Sequence, residues 1–158
     1  LLVAAIAVGL AACTKKTVPT DPAPTPSTPT TPAVVDDGKY GPEDLDTDAC
    51  LRQRTVYFDL DQDSVKPEFQ AILACHAKYL QDRPESRVTL EGHADERGSR
   101  EYNLGLGERR GNAVSAALQA AGGSAGQQTV VSFGEERPVD AASTEEAWAK
   151  NRRVEIVY

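Results

Sequence analysis

The fold is decided by the stretch Glu91-Gly-His-Ala-Asp-Glu-Arg-Gly-Ser-Arg-Glu-Tyr-Asn-Leu-Gly-Leu-Gly-Glu-Arg-Arg110. Apolar and polar residues alternate over Val88–Glu91, which is the pattern of a half-buried strand. Two glycines then enclose a polar loop, and Ser99 is placed to cap a helix that meets no proline before Gly122. The stretch therefore predicts a strand, a polar loop and a long helix.

Two opposite charges stand out in this stretch. Asp95 falls in the predicted loop, and Arg110 falls on the predicted helix, seven residues after Asn103 and on the same face. Opposite charges held on rigid elements suit a zwitterionic ligand that carries both an ammonium and a carboxylate group. We therefore expect a binding site where the loop meets the helix.

Composition narrows the class of protein. With 158 residues and a hydrophobic fraction of 40%, the chain has room for one domain of ordinary size. The formal net charge of −7 argues against nucleic acid binding, which calls for a basic surface. The three cysteines are too few for a disulfide scaffold and lack the paired spacing of a zinc site.

Residues 1–12 are apolar, too short to span a bilayer as a helix, and about right for the hydrophobic region of a signal peptide. No basic region precedes them, so we expect the sequence to begin inside that signal peptide. Leu10-Ala-Ala-Cys13 looks like a bacterial lipoprotein box, in which the cysteine is acylated and becomes the mature N-terminus. An ordinary secretory signal with an incidental cysteine is the alternative. Several acyl chains at Cys13 would anchor the protein stably to a membrane.

The segment that follows has a different composition. Seven of the ten prolines fall between Thr14 and Ala49, and large apolar residues are nearly absent there. Such a segment cannot bury enough apolar surface to fold, and its extended conformations rise by about 3 Å per residue. We predict that residues 13–49 form a lipidated, disordered tether that spans on the order of 100 Å.

A folded domain is predicted over residues 50–158. Strands are indicated at 54–60, 88–91, 129–133 and 153–158 by β-branched, aromatic and alternating residues. Helices are indicated at 66–81 and 99–121, and a capping box at Ser143–Glu146 opens a short helix through Trp148. The order β-α-β-α-β-α-β predicts an α+β fold, a mixed four-stranded sheet with helices packed on one face.

Three acidic residues follow the first strand. Asp59, Asp61 and Asp63 suggest calcium, but the glycine and glutamate that an EF-hand loop needs are Ser64 and Gln70 here. We therefore expect neither a metal nor another cofactor. His76 lies on the apolar face of the first long helix and is expected to pack in the core.

Cys50 and Cys75 both belong to the predicted domain. In an oxidising compartment two thiols in one small domain often pair, and the bridge would fasten the end of the tether to the first long helix. Two buried free thiols are the alternative, because the sequence does not provide the distance between the Cα atoms.

Several strings resemble the OmpA-like family, and within it the peptidoglycan-associated lipoproteins of the Tol–Pal system. In order along the chain they are Val56-Tyr-Phe-Asp-Leu-Asp61, Glu91-Gly-His-Ala-Asp-Glu-Arg-Gly98, Glu101-Tyr-Asn103, Gly107-Glu-Arg-Arg110, Val131-Ser-Phe-Gly-Glu135 and Asn151-Arg-Arg153. The resemblance covers residues 54–158. The string from Glu91 to Gly98 is typical of the lipoproteins, because OmpA-like domains at large carry a Thr-Asp pair there.

The resemblance implies an OmpA-like domain that binds peptidoglycan without covalent attachment, through the meso-diaminopimelate of the stem peptide. It places the ammonium and carboxylate of that residue against Asp95 and Arg110. The further contacts that it implies are Leu60, Asp61, Arg97, Asn103 and Leu106. It also implies an outer-membrane protein anchored by lipid on the periplasmic side, with the β-propeller TolB as a partner and a role in envelope integrity and cell division.

Three positions depart from the family pattern. Leu60 stands where many relatives carry Phe, so one aromatic wall of the pocket is expected to be missing. Gly107 and Gly111 replace Ser and Ala, and each glycine costs about 1 kcal/mol in a helix interior. Close approach of the ligand or of the sheet backbone would explain them.

Two other functions compete with wall anchoring. Glu91, His93, Asp95 and Glu96 can be drawn as the acid–base or metal cluster of a peptidoglycan hydrolase, but metal hydrolases use several converging ligands and only His93 is available here. We therefore expect no enzyme activity. The other alternative is an OmpA-like lipoprotein that binds the wall outside the Tol–Pal system.

Overall fold

A computed structural model of the protein describes residues 38–158. The predicted signal peptide, the acylated Cys13 and the tether upstream of residue 38 lie outside the described residues. Within 38–158, no helix combines the length and the apolar character that crossing a membrane requires.

Four helices and four strands alternate along the described chain. The helices are α1 (Asp44–Thr47), α2 (Gln70–Asp82), α3 (Arg100–Ala120) and α4 (Glu145–Asn151), with short 3₁₀ turns at Pro67–Phe69 and Ala125–Gln127. The strands are β1 (Thr55–Tyr57), β2 (Val88–His93), β3 (Gln128–Gly134) and β4 (Arg153–Val157). Every predicted element is present, and α1 is an addition.

The strands form one mixed sheet in the order β1-β4-β2-β3. The two pairs that contain β4 are antiparallel, and β2 runs parallel to β3. The predicted fold class, an α+β domain with a mixed four-stranded sheet, is confirmed. The core lies between the sheet and the helices and is built from Val56, Ile72, Leu73, Leu80, Leu90, Val114, Leu118, Val154 and Ile156.

The folded domain begins earlier than the sequence predicts. The composition predicts disorder up to residue 49, but Tyr40 lies 6.4 Å from Tyr79 between ring centroids and its backbone N–H donates to Asp82 over 2.9 Å. Leu45 packs against the core, and its carbonyl accepts a hydrogen bond from Arg54. These isolated contacts hold the segment 40–49 on the domain, although its composition alone favours disorder.

The structure joins Cys50 to Cys75 in a disulfide, with the two Cα atoms 6.3 Å apart. Of the two states that the sequence leaves open, it therefore contains the bridged one. The bridge fastens the end of the N-terminal segment to α2.

His76 packs in the core, as predicted. Its ring is fully buried, stacks on Tyr158 and is satisfied by two hydrogen bonds, Nδ1 with the Tyr158 hydroxyl at 2.8 Å and Nε2 with the Gln53 carbonyl at 2.9 Å. Burial lowers the pKa of His76 below its ordinary value. The residue therefore contributes to packing and to the attachment of β1 rather than to a ligand site.

Helix α3 lies against the backbone of the sheet. A Cβ atom on Gly107 would stand 2.8 Å from the carbonyl oxygen of Gly92 and would collide with Ser132, while one on Gly111 would stand 2.5 Å from a methyl group of Val130. Both glycines are therefore explained by close approach of the helix to β2 and β3, and not by the ligand.

The two predicted helix caps differ in outcome. The Ser99 hydroxyl accepts a hydrogen bond from the Tyr102 N–H at 3.2 Å, so the predicted cap of α3 is confirmed. At α4 the capping residue is Thr144, which accepts from the Ala147 N–H at 3.3 Å. The predicted box at Ser143 is therefore wrong by one residue, because either of two adjacent hydroxyl side chains can cap a helix.

Candidate functional site

A cavity of about 360 Å³ opens where the loop after β1, the loop after β2 and the first turns of α3 meet. It is lined by Leu60, Asp61, Asp95, Arg97, Gly98, Tyr102, Asn103 and Leu106. Six of the seven residues predicted to bind the ligand therefore line one cavity. The seventh, Arg110, does not line it.

Asp95 is almost completely buried at the wall of this cavity. Its Oδ1 accepts from the backbone N–H of Arg97 at 3.1 Å and from Arg97 Nε at 3.0 Å. Its Oδ2 accepts from Arg97 Nη2 at 2.8 Å and from Arg152 Nη1 at 3.3 Å. Burial opposes ionisation, but these hydrogen bonds outweigh it and hold the pKa of the Asp95 carboxyl below its usual value.

Arg97 is also tied to helix α4. Its guanidinium carbon lies 4.1 Å from the centroid of the Trp148 indole, and its Nη1 lies 3.4 Å from Glu145 Oε2. The Trp148 Nε1–H donates to Glu96 in the same loop over 3.0 Å. The loop after β2 is therefore held against α4 by a stacked aromatic ring and two polar contacts.

Arg110 lies completely buried on α3, with its guanidinium 5.2 Å from the centre of the Phe58 ring. It donates to three backbone carbonyls, those of Gln62 at 2.8 Å, His93 at 2.8 Å and Asp59 at 3.1 Å. Burial lowers its pKa to about 10, which leaves it charged at neutral pH. Arg110 thus joins the loop that carries Leu60 and Asp61 to the end of β2.

Asp61 stands in the loop after β1 in a left-handed backbone conformation, with φ of 55°. Aspartate tolerates this conformation better than most residues. Its carboxylate accepts a hydrogen bond from the Tyr102 hydroxyl, which raises the pKa of Tyr102. Leu60 beside it is more than half exposed, so the cavity has an aliphatic rim where many relatives are expected to be aromatic.

The other two aspartates of this loop form ion pairs with different basic side chains. Asp59 pairs with Lys66 at 2.8 Å, and Asp63 pairs with Arg109 at 3.1 Å. Within residues 38–158, no group of three histidine, cysteine or acidic side chains is placed to hold a metal ion.

Asn103 and Leu106 face the cavity from successive turns of α3. The Asn103 amide donates to the Arg97 carbonyl at 3.3 Å and to Glu135 at the end of β3. Leu106 is almost fully buried and forms part of the apolar wall. These two side chains therefore shape the cavity from α3.

Three of the four residues of the alternative hydrolase cluster contact other side chains of the fold. His93 is buried and stacks on Phe133 with ring centroids 5.5 Å apart, while Glu96 is held by Trp148. Asp95 is held by two arginines. Burial is the main cause that lowers the pKa of His93 to about 4, followed by the charge of Arg153.

Sequence reasoning missed three residues of this site. Arg152 contacts Asp95 from a position 57 residues away, and nothing local in the sequence indicates that pairing. Tyr102 lines the cavity and Trp148 supports its loop. Tyr102 lies one residue before Asn103 on the first turn of the predicted helix, and this position beside the predicted loop could have indicated that it lines the site.

Two comparisons by sequence agree with this description. The model of the OmpA family matches residues 57–152. The peptidoglycan-associated lipoprotein of Pseudomonas aeruginosa is 50% identical over 113 residues, which are 71% of this chain and 67% of the relative. The lipoprotein of the same name from Pasteurella multocida is 43% identical over 121 residues, which are 77% of this chain and 78% of the relative.

A solved structure is similar throughout the domain. The crystal structure of the peptidoglycan-associated lipoprotein from Burkholderia pseudomallei superposes with a TM-score of 0.71 at 43% identity. The match covers 73% of this chain and 98% of that one.

Proposed function

Since the chain belongs to the OmpA family, we propose that it is a lipoprotein that binds peptidoglycan without covalent attachment and without enzyme activity. The observation that carries this proposal is the cavity, which gathers two carboxylates, Asp61 and Asp95, beside the buried cation Arg110. The two relatives and the solved structure described above are peptidoglycan-associated lipoproteins.

The proposed ligand group is the meso-diaminopimelate of the stem peptide. Its side chain ends in an ammonium and a carboxylate on one carbon, so it needs one anion and one cation close together. Asp95 is the proposed partner of the ammonium and Arg110 that of the carboxylate. In the described part of the chain, carbonyls occupy three N–H groups of Arg110. A guanidinium has about five such donors, so two have no carbonyl partner among the described residues. Because Arg110 is completely buried and does not line the cavity, the proposed contact requires the cavity wall to open at Arg110 when the ligand binds.

The remaining contacts follow from the lining of the cavity. Asp61 adds a second carboxylate, Leu60 and Leu106 supply apolar walls, and Asn103 and Arg97 complete the polar rim. In this proposal the lipid on Cys13 lies in the outer membrane and the segment up to residue 37 spans the distance to the wall. The protein would then hold the outer membrane to the cell wall within the Tol–Pal system, with TolB as partner and a role at cell division.

Titration with a stem peptide tests the proposal directly. Amide resonances are followed by NMR while a meso-diaminopimelate tripeptide is added to the full chain, and shifts are expected at Asp61, Asp95, Arg97, Asn103 and Arg110. A tripeptide with lysine in the same position is the matched control, because it lacks only the side-chain carboxylate. Equal affinity for the two peptides would contradict a role of Arg110 as carboxylate partner.

Two further assays separate the competing functions. Incubation with purified sacculi is expected to deplete the protein from solution, and release of soluble muropeptides would identify a hydrolase instead. Capture of TolB is expected in a pull-down, and wall binding without TolB capture would place the protein outside the Tol–Pal system.

A further inference from the structure

The Asp95 carboxylate has no vacant acceptor position in this structure. Each of its oxygens accepts two hydrogen bonds, three of the four from Arg97 and one from Arg152. An ionised carboxylate offers about four lone-pair positions, so this set fills it. A ligand ammonium can therefore bind Asp95 only if an existing donor leaves.

The two arginines that hold Asp95 differ in how firmly they are fixed. Arg152 is 7% exposed in its side chain, and its Nε donates to the Phe58 carbonyl at 3.1 Å within the protein. Arg97 is 32% exposed and stands at the cavity rim. Displacement of Arg97 moves a side chain that is already about one third exposed. Displacement of Arg152 would instead separate a buried cation from Asp95 and leave the Phe58 carbonyl without its donor.

We propose that Arg97 is an internal substitute for the ligand's ammonium: it occupies Asp95 in the free protein, leaves on binding, and is replaced by the ammonium while Arg152 stays. This inference rests on the proposed function, because it concerns the same cavity and the same ligand. It changes the role of Arg97 from a ligand contact to a competitor for Asp95.

The structure also provides a place for the displaced side chain. The Arg97 guanidinium stacks on Trp148, and its Nη1 is within 3.4 Å of Glu145 Oε2. Glu145 is more than half exposed and already accepts from Arg152 at 2.7 Å through its other oxygen. Arg97 can therefore rotate away from Asp95 while it keeps an aromatic face and a carboxylate as partners.

The two possible roles of Arg97 predict opposite changes in ligand affinity when its side chain is removed. If Arg97 competes with the ligand, its removal abolishes the cost of separating it from Asp95, and affinity rises. If Arg97 instead turns toward the ligand's carboxylate, its removal eliminates a charge-assisted contact and affinity falls. Loss of structure alone also lowers affinity, so a gain is specific to the competitor role.

Calorimetric titration of Arg97→Ala with the meso-diaminopimelate tripeptide tests this. We expect binding about two- to fivefold tighter than for the native chain, the range of a partly exposed ion pair. Arg100→Ala is the matched control, because Arg100 is exposed, pairs with Glu136 and does not line the cavity. It is expected to change affinity less than about twofold.

Unchanged or weaker binding by Arg97→Ala, in a native chain that does bind, would overturn this inference and leave the proposed function standing. Absence of binding by the native chain would refute the proposed function, and the inference with it. The two failures are therefore distinguishable in the same experiment.

A second measurement needs no variant. In the free protein, both Arg97 Nε–H and Arg152 Nε–H are held in hydrogen bonds, to Asp95 and to the Phe58 carbonyl. At saturating tripeptide, the Nε–H signal of Arg97 is expected to move toward the position of a solvated arginine, while that of Arg152 keeps its protected position. Retention of both signals unchanged would show that Arg97 stays on Asp95.

Discussion

Gly92 of β2 and Gly107 of α3 meet with no side chain between them. A Cβ atom on Gly107 would stand 2.8 Å from the Gly92 carbonyl oxygen, closer than real Cβ atoms approach. This contact brings the axis of α3 close to the sheet and so determines where Asn103 and Arg110, one turn before and one turn after Gly107, are placed.

Gly107→Ala is therefore expected to destabilise the domain. Forcing a methyl group into this contact costs about 1–3 kcal/mol, more than the roughly 1 kcal/mol that alanine returns in a helix interior. Gly105→Ala is the matched control on the same helix, where a Cβ would meet only the end of the flexible Arg109 side chain at 3.4 Å. Urea unfolding is expected to show a loss for Gly107→Ala and a gain for Gly105→Ala. A gain in stability for both variants would contradict the close contact between Gly107 and Gly92.

Arg110→Met is expected to reduce the free energy of unfolding by about 3 kcal/mol or more, because three backbone carbonyls, of which that of His93 is buried, lose a charged donor. Arg109→Met is the control: its arginine is half exposed and pairs with Asp63, and the loss should stay below about 1 kcal/mol. Equal unfolding midpoints for the two variants would argue against a structural role of Arg110. Binding data on Arg110 variants therefore need a parallel measurement of stability.

The lowered pKa of His93 leads us to predict that the stability of the domain depends on pH. Its pKa in the folded protein is about 4, below its value of about 6.5 in an unfolded chain. The unfolded state therefore takes up the proton first, and the free energy of unfolding falls as the pH drops from about 6.5 to about 4, by up to about 3 kcal/mol.

His93→Phe keeps the stacking on Phe133 and removes the titration, and neither ring nitrogen of His93 has a partner within the described residues to lose. The variant is expected to lose less stability than the native chain over the same pH interval, as measured by urea unfolding at a series of pH values. His76 is present in both proteins, so their difference reports His93. Parallel pH curves would exclude this effect.

The disulfide closes a loop with a sequence separation of 25 residues. In the chain-entropy description, such a loop contributes about 3 kcal/mol by restricting the unfolded state. The double variant Cys50→Ser/Cys75→Ser is expected to lose this amount in urea unfolding, and reductant should destabilise the native chain to the same extent. Reductant is expected to leave the double variant unchanged. Insensitivity of the native chain would indicate free thiols in solution.

Most of the fold could be predicted from residue patterns of short range. Alternation over β2, helical spacing over α2 and the cap at Ser99 depend on neighbours within a few residues, and these elements were predicted. Adjacent candidates such as Ser143 and Thr144 are equivalent by chemistry, so the cap of α4 was misplaced by one residue. Which of two adjacent hydroxyl side chains caps a helix depends on the tertiary path of the chain.

The site was predictable only in part. The residues that the family resemblance implied gather around one cavity, but the resemblance did not indicate that Asp95 is already saturated. Arg152 reaches Asp95 across the fold, and the packing of Tyr40 on Tyr79 depends on one ring in a polar segment. Single contacts of long range leave no periodic signal in a sequence.

In the proposed function, the membrane and the cell wall hold opposite ends of this protein, so growth of the envelope would put the chain under tension. That tension enters the domain upstream of Tyr40 and meets the covalent bridge at Cys50 before it reaches β1. The bridge passes part of the force directly into α2. Strand β1 has only three residues, pairs with β4 alone and is the first strand that this force would otherwise reach. The shortest strand of the sheet is thus protected by a covalent bond.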